Sequence, residues 1–208
     1  MAIHSRRTRP VYPSGGPFMR RDDFAACTSS YLADTHIRPP ASRERTKPMA
    51  TLSKITPCLW FDTQAENAAN FYTGIFENSR ILDVARYGSA GPRPEGMVMV
   101  VRFELDGQPF IALNGGPEFT FDEAISFQVS CGSQEEVDAF WTKLSDGGEE
   151  GPCGWVKDRF GLSWQIVPTV LDELVSDPDP ERSQRAMKAM LGMKKLDIAE
   201  LQRAADAA

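Results

Sequence analysis

The fold is decided by a stretch that the chain contains twice, as AENAANFY at residues 65–72 and as QEEVDAFW at residues 134–141. Both copies carry a glutamate at the second position and end in an aromatic pair. A second match follows in the same order, with GQPFIAL at residues 107–113 and GLSWQIV at residues 161–167. Each match is short, but two in the same order indicate an internal duplication.

Apolar periodicity around these matches predicts a strand, then a helix, then further strands in each copy. In the first copy, Asp106 and Gly107 predict a two-residue hairpin between two of the strands. In the second copy, Ser133 and Glu136 form a capping box at the start of the helix. The predicted strands are 55–61, 80–87, 97–105 and 108–114 in the first copy and 124–131, 155–159 and 162–168 in the second, with helices at 64–76 and 133–144.

We therefore predict an α+β fold of two βαβββ modules that form an open mixed sheet around a cleft. Module 1 is predicted at about residues 53–117 and module 2 at about residues 124–168, within one domain spanning 53–175. Helical patterns continue after Pro168, at residues 170–175, 180–191 and 197–205. Residues 176–208 are accordingly predicted to be C-terminal helices.

Residues 1–48 differ from the rest of the chain in composition. They hold nine Lys and Arg against four Asp and Glu, six of the 15 prolines and both histidines, and they show neither apolar period. We predict a disordered N-terminal extension. A basic arm for an acidic partner, and upstream sequence preceding a start at Met49, are the alternatives.

The overall composition excludes several classes of protein. The net charge is −6, so a protein that grips nucleic acid over its whole surface is not expected. No apolar run approaches the roughly 18 residues of a membrane-spanning helix, and no apolar segment follows the early arginines to make a signal peptide. Four cysteines in 208 residues do not make a disulfide framework. We expect a reduced, cytoplasmic protein without nucleic-acid or membrane partners.

Three segments carry a resemblance to a known family: LWFD at 59–62, CGWVKDRFGLSWQIVP at 153–168, and the region from Met190 to Ile198. Together with the duplicated modules, they resemble the vicinal oxygen chelate superfamily of glyoxalases, extradiol dioxygenases and bleomycin-resistance proteins. Within it, the chain looks most like the PhnB-like branch, over residues 53–203. The resemblance implies a homodimer, which would also cover strand edges that are otherwise unpaired. The branch often carries a demethylubiquinone methyltransferase label, but no G-x-G-x-x-G turn follows a strand here, so that activity is not expected.

Metal-dependent relatives take one ligand from the first strand and one from the last strand of each module. The resemblance puts these four positions at Pro57, Ala112, Ser126 and Gln165. Proline and alanine offer no side-chain donor, and no histidine occurs after residue 48. A lone carboxylate such as Glu104 is more typical of solvated surface than of an ion site. We therefore expect no metal and no other cofactor.

Strand alternation from these positions predicts a ligand-binding wall on the concave face of the sheet. An aromatic wall with a few neutral polar groups suits a small apolar or aromatic molecule, and with no Lys or Arg predicted there it suits a phosphonate poorly. Core packing of the phenylalanines and hydrogen bonding between the glutamines are the alternative interpretations. The predicted wall is Leu59, Phe61, Phe103, Phe110, Asn114, Ser126, Gln128 and Gln165, whereas Ile111, Leu113, Phe127, Val129, Trp164 and Ile166 are expected beneath the helices.

Two classes of function are compatible with such a wall. The first is a metal-independent protein that binds a small apolar or aromatic compound, as resistance-type relatives do. The second is a lyase, isomerase or dioxygenase of the superfamily with an atypical site around Gln165, Gln128 and Glu104. The missing donors at two of the four metal positions favour the first class. No catalytic residue is assigned, because none of the cysteines of the domain has a histidine to act as its base.

Overall fold

The structure is a computed structural model that describes residues 54–207. The extension predicted at residues 1–48 lies outside the described residues. Within them, two βαβββ modules follow one another and three helices come last, which confirms the predicted α+β fold. In this described part of the chain, no helix is both long enough and apolar enough to cross a bilayer.

Module 1 consists of β1 (Cys58–Phe61), α1 (Ala65–Thr73), β2 (Arg80–Arg86), β3 (Val98–Leu105) and β4 (Gln108–Asn114). β3 and β4 form the predicted hairpin. Its turn residues, Asp106 and Gly107, have φ angles of 45° and 75°. This type of tight turn needs left-handed conformations at both positions, and glycine adopts them without steric cost. The Asp-Gly pair therefore sets the register of the two central strands of this sheet.

Module 2 consists of β5 (Ser126–Cys131), α2 (Gln134–Ser145), β6 (Glu149–Glu150), β7 (Trp155–Lys157) and β8 (Ser163–Pro168). Ser133 Oγ accepts a hydrogen bond from the Glu136 amide, so the helix begins at the predicted cap. The strand β6 was not predicted, because two residues are too few to show an alternating pattern.

The two modules have the same topology. The strand order is β1-β4-β3-β2 in the first sheet and β5-β8-β7-β6 in the second. In each sheet the first and last strands of the module pair in parallel, and the remaining pairs are antiparallel. The structure therefore has two separate four-stranded mixed sheets, and their common strand order supports the duplication.

The C-terminal helices are α3 (Val170–Val175), α4 (Pro180–Leu191) and α5 (Ile198–Asp206). Asp179 and Asp197 cap the second and third of them, where each side chain accepts a hydrogen bond from a backbone amide of the first turn. The helices bury a second apolar cluster against the end of β8, where Val167 lies. This part of the chain therefore closes one end of the second sheet.

One hydrophobic core joins the two modules. α1 packs on the first sheet and α2 packs on the second, and we call the helix-covered side of each sheet its helix face and the other side its open face. The rings of Phe110 in β4 and Phe127 in β5 lie 5.2 Å apart, and the Tyr72 ring of α1 lies 5.4 Å from that of Trp164 in β8. Because the two helix faces meet in this core, the two open faces point outward.

Candidate functional site

The open face of module 2 carries the polar residues that the sequence predicted for a ligand wall. Phe127, Trp164 and Ile166 lie on the helix face, as expected, and pack in the core. Alternation therefore puts Ser126, Gln128 and Gln165 on the open face. Two of these are joined, because Gln165 Nε2 donates to Ser126 Oγ at 2.9 Å. These three residues form the part of the predicted site that the structure places together.

Module 1 does not have the predicted arrangement, because its two faces are exchanged. Leu59, Phe61, Phe103 and Phe110 lie in the core beneath α1 rather than on an open wall. Asn114, only 1% exposed, is also on this side. Its Oδ1 accepts from the Ala65 amide at 2.8 Å and its Nδ2 donates to the Val98 carbonyl at 3.0 Å. The structure therefore has these five residues in the core and not on the open face where they were expected, and Asn114 hydrogen-bonds the first residue of α1.

A difference of one residue in a connection explains the error for the first strand. Three residues, 62–64, link β1 to α1, whereas two residues, 132 and 133, link β5 to α2. Matching the modules through their helices therefore shifts the first strand by one position. A shift of one residue moves every side chain of a strand to the opposite face. When the helix faces of the two modules are matched, Ile111 corresponds to Gln165. Their parallel partners, Cys58 and Gln128, then correspond as well.

The open face of module 1 consequently carries a group of apolar residues. Alternation puts Val100, Ile111 and Leu113 on it, although the last two were predicted beneath the helices, and Arg102 lies on the same face opposite Ile111. Trp60 of β1 extends this surface, and its ring packs edge-on against that of Phe119, 5.1 Å away.

The position of Trp60 depends on the linker between the modules. Its Nε1 donates to the Gly116 carbonyl at 2.8 Å. A Cβ atom at Gly115 would lie only 2.2 Å from the indole ring, so a residue without a side chain is required there. The Gly115-Gly116 connector thus also shapes the open face.

Charged residues border both open faces, contrary to the expectation that no Lys or Arg lies there. In module 1, Arg102 lies beside Glu104, which pairs with Arg80 at 2.8 Å. In module 2, Lys157 is ion-paired with Glu123. Since Glu104 and Lys157 each have a partner of opposite charge, both are largely neutralised.

The metal-ligand positions can be revised from the strand register. Gln165 corresponds to Ile111 rather than to Ala112, and Ser126 corresponds to Thr56 rather than to Pro57. An isoleucine offers no donor, and neutral hydroxyl and amide oxygens are weak ligands for a first-row cation. Within residues 54–207, no group of three or more His, Cys, Asp or Glu side chains is arranged to hold a metal ion. The donor set therefore does not fit the metal centre of the metal-dependent relatives.

A buried carboxylate ties the two modules together. Asp158 Oδ2 accepts from Tyr72 Oη and from Trp164 Nε1, both at 2.8 Å. Its Oδ1 accepts from the amides of Phe160 and Leu162 at 2.8 and 3.1 Å. Burial raises the pKa of Asp158. Burial and the nearby carboxylate also raise the pKa of Tyr72 well above its ordinary value.

Two members of the open face of module 2, Trp155 and Lys157, were not predicted as part of the ligand wall. Trp155 pairs with Gln165 and Lys157 pairs with Ser163 across the β7–β8 ladder, so both share the face of the polar row. Extending the alternation from Gln165 across the neighbouring strand would have identified them.

Comparison with known proteins identifies the family. A family model described as 3-demethylubiquinone-9 3-methyltransferase matches residues 53–167. The chain belongs to this family. A solved structure confirms the predicted PhnB-like branch, since this chain is 36% identical to a PhnB protein from Bacillus cereus that is described as a putative 3-demethylubiquinone-9 3-methyltransferase. That match covers 56% of this chain and 100% of the other, with a TM-score of 0.51.

Further solved structures resemble this PhnB-like chain less closely in geometry. A protein from Staphylococcus aureus is 32% identical, over 55% of this chain and 95% of its own, with a TM-score of 0.27. A glyoxylase/bleomycin resistance protein/dioxygenase domain from Frankia is 18% identical, over 56% of this chain and 97% of its own, with a TM-score of 0.37. No curated protein matches the chain.

Proposed function

We propose that this PhnB-like protein is a metal-independent binder of a small, largely apolar or aromatic compound. The compound lies between two unlike open faces, the apolar one of module 1 and the polar one of module 2. The outward direction of these faces is the observation that carries the proposal. Because the shared core separates them within one chain, the cleft forms when module 1 of one copy faces module 2 of a second copy in a homodimer.

The side chains on the two open faces support binding of a compound that is largely apolar but has one or two polar atoms. Val100, Ile111 and Leu113 offer a surface that favours burial of an apolar ring. The opposite wall offers the hydrogen-bonding groups of Ser126, Gln128 and Gln165, which fix the orientation of a ligand with one or two polar atoms. We place this binder in the cytoplasm, in keeping with the low cysteine content.

The methyltransferase activity in the family description has no support in the fold. Enzymes of the doubly wound type bind their cofactor at a Gly-rich turn between a parallel strand and a helix. Each sheet here contains one parallel pair, joined to antiparallel strands. The enzymatic alternative, a lyase, isomerase or dioxygenase, depends on Glu104 as an acid or base, and this carboxylate is held by Arg80.

Native mass spectrometry of the full chain, purified without added metal or chelator, tests the proposal. We expect a dimer that carries an organic adduct and no stoichiometric metal. The adduct occupancy should fall in Gln165→Ala, whereas Ser130→Ala, a change on the same open face one strand away, should retain it. A monomer, or a dimer with one metal ion per chain, would contradict the proposal and favour the enzymatic alternative.

A further inference from the structure

The open face of module 2 contains a polar side chain whose hydrogen bonding is incomplete. Ser163 is 1% exposed, and its Oγ is the one buried side-chain polar atom in the described part of the chain that has no hydrogen-bond partner. An unpartnered buried hydroxyl is costly and is rare in folded proteins. Such a hydroxyl can form a hydrogen bond with a polar group of a bound ligand.

The strand register puts further hydrogen-bonding groups beside this hydroxyl. Ser163 pairs with Ser126 of β5, and two residues further along β8 lies Gln165. Because the Ser126 oxygen already accepts from Gln165, the hydrogen of the Ser126 hydroxyl is available to donate. The side-chain oxygen of Gln165 has no partner among the described residues and is available to accept. We call these three residues the polar notch.

From this arrangement we infer that the polar notch recognises a neutral aromatic compound bearing a ring amide. The carbonyl oxygen of such a ligand accepts from Ser163 and Ser126, and its N–H donates to the oxygen of Gln165. The ring lies against Trp155, which pairs with Gln165 on the same face. This inference rests on the proposed function and specifies the ligand that the site takes.

The charges around the polar notch point to a neutral ligand. Its three residues are uncharged, and the nearest cation, Lys157, is paired with Glu123. This pairing raises the pKa of Lys157 and lowers that of Glu123, so both groups stay ionised and cancel one another. An anionic or cationic ligand would lose its hydration here without gaining an unpaired countercharge.

Three bicyclic probes of similar shape separate the possibilities: 2-quinolinone, with a ring amide; quinoline, without a carbonyl; and quinaldate, an anion. Binding of each to the full-length protein is measured by isothermal titration calorimetry. We expect 2-quinolinone to bind at least about tenfold more tightly than the other two, since three neutral hydrogen bonds of about 0.5 kcal/mol each already amount to a tenfold difference. Ser163→Ala should reduce this preference severalfold, because one of the three hydrogen bonds is lost, and the exposed Ser130→Ala should leave it unchanged.

The thermal stability of Ser163→Ala provides a second readout. If the Ser163 hydroxyl has no hydrogen-bond partner in the ligand-free protein, its removal should leave the melting temperature of that protein unchanged or higher. A melting temperature several degrees lower would show that the hydroxyl already has an internal partner, such as a buried water, and would overturn the inference.

Failure of the inference and failure of the proposed function are distinguishable. Equal binding of quinoline and 2-quinolinone, or tighter binding of quinaldate, overturns the ring-amide preference but leaves a binder of small aromatic compounds. Absence of binding of all three probes also overturns the inference. The proposed function is then judged separately, by the organic adduct in the native mass spectrum.

Discussion

Removal of the Tyr72 hydroxyl tests how the two modules are joined. Tyr72 Oη donates to Asp158 Oδ2 at 2.8 Å, and the tyrosine side chain is fully buried. A hydrogen bond from a neutral donor to a charged acceptor contributes about 1.5–3 kcal/mol. We therefore expect Tyr72→Phe to lower the free energy of unfolding by about 2 kcal/mol, which corresponds to about 4–8 °C in melting temperature for a domain of this size.

Tyr87→Phe is the matched control. The Tyr87 hydroxyl donates to the backbone carbonyl of Asn114 at 2.7 Å, so it is also buried but has a neutral acceptor. Its loss should cost about 1 kcal/mol, the usual contribution of a neutral hydrogen bond. Urea unfolding of the full-length variants, followed by circular dichroism, compares the two. A Tyr72→Phe cost equal to or below that of Tyr87→Phe would refute the idea that a buried carboxylate ties the modules together.

The contribution of the Tyr72 hydroxyl to the free energy of unfolding should also depend on pH. The pKa of Tyr72 is raised in the folded state, whereas in the unfolded chain it lies near the ordinary value of about 10. Below that value both states keep the proton, and the contribution of the hydroxyl is fully present. Above about pH 10 the unfolded state loses its proton first, so the contribution falls as the pH rises. The difference in stability between the wild type and Tyr72→Phe should therefore narrow above pH 10, whereas a constant difference would contradict this assignment.

Two further predictions concern the open face of module 1 and the thiols. Gly115→Ala should displace the Trp60 indole, because the new Cβ lies 2.2 Å from it, and should cost about 2 kcal/mol with a shift in tryptophan emission. Gly88→Ala, where a Cβ meets no atom within 4 Å, is the control, and equal effects of the two would argue against this packing. Burial raises the pKa of the Cys131 thiol to about 11, whereas Cys58 is exposed. Iodoacetamide near pH 8, followed by peptide mass mapping, should therefore label Cys58 well before Cys131. Equal rates of labelling would contradict the buried position of Cys131.

Local patterns were sufficient to predict most of the elements. The Asp106-Gly107 hairpin and the bounds of α3 and α4 depend on residues next to one another in the chain, and the structure has them where they were expected. The role of Asp158 was not predictable in this way. Its partner Tyr72 lies 86 residues earlier, and an aspartate at the end of a strand ordinarily indicates only a turn.

Which face of a strand a residue occupies was predictable from the sequence in most strands but not in β4. In module 2, the apolar residues Phe127, Trp164 and Ile166 alternate with serine and glutamine, so the pattern itself identifies the helix face. In β3, Arg102 and Glu104 alternate with apolar residues in the same way and would have identified the open face. In β4 both faces are largely apolar, and matching the modules through their helices then assigned the residues of module 1 to the wrong face.

The one-residue difference between the two connections shows how equivalent positions in duplicated modules should be identified. The extra residue between β1 and α1 changes the distance from strand to helix but leaves the pairing of β1 with β4 intact. A loop accommodates an added residue at little cost, whereas a change of strand register would put core side chains into water. The side of each sheet that its helix covers, and not the spacing from strand to helix, therefore identifies equivalent positions in the two modules. On that basis Ile111 and Gln165 are equivalent, and their difference makes one open face apolar and the other polar.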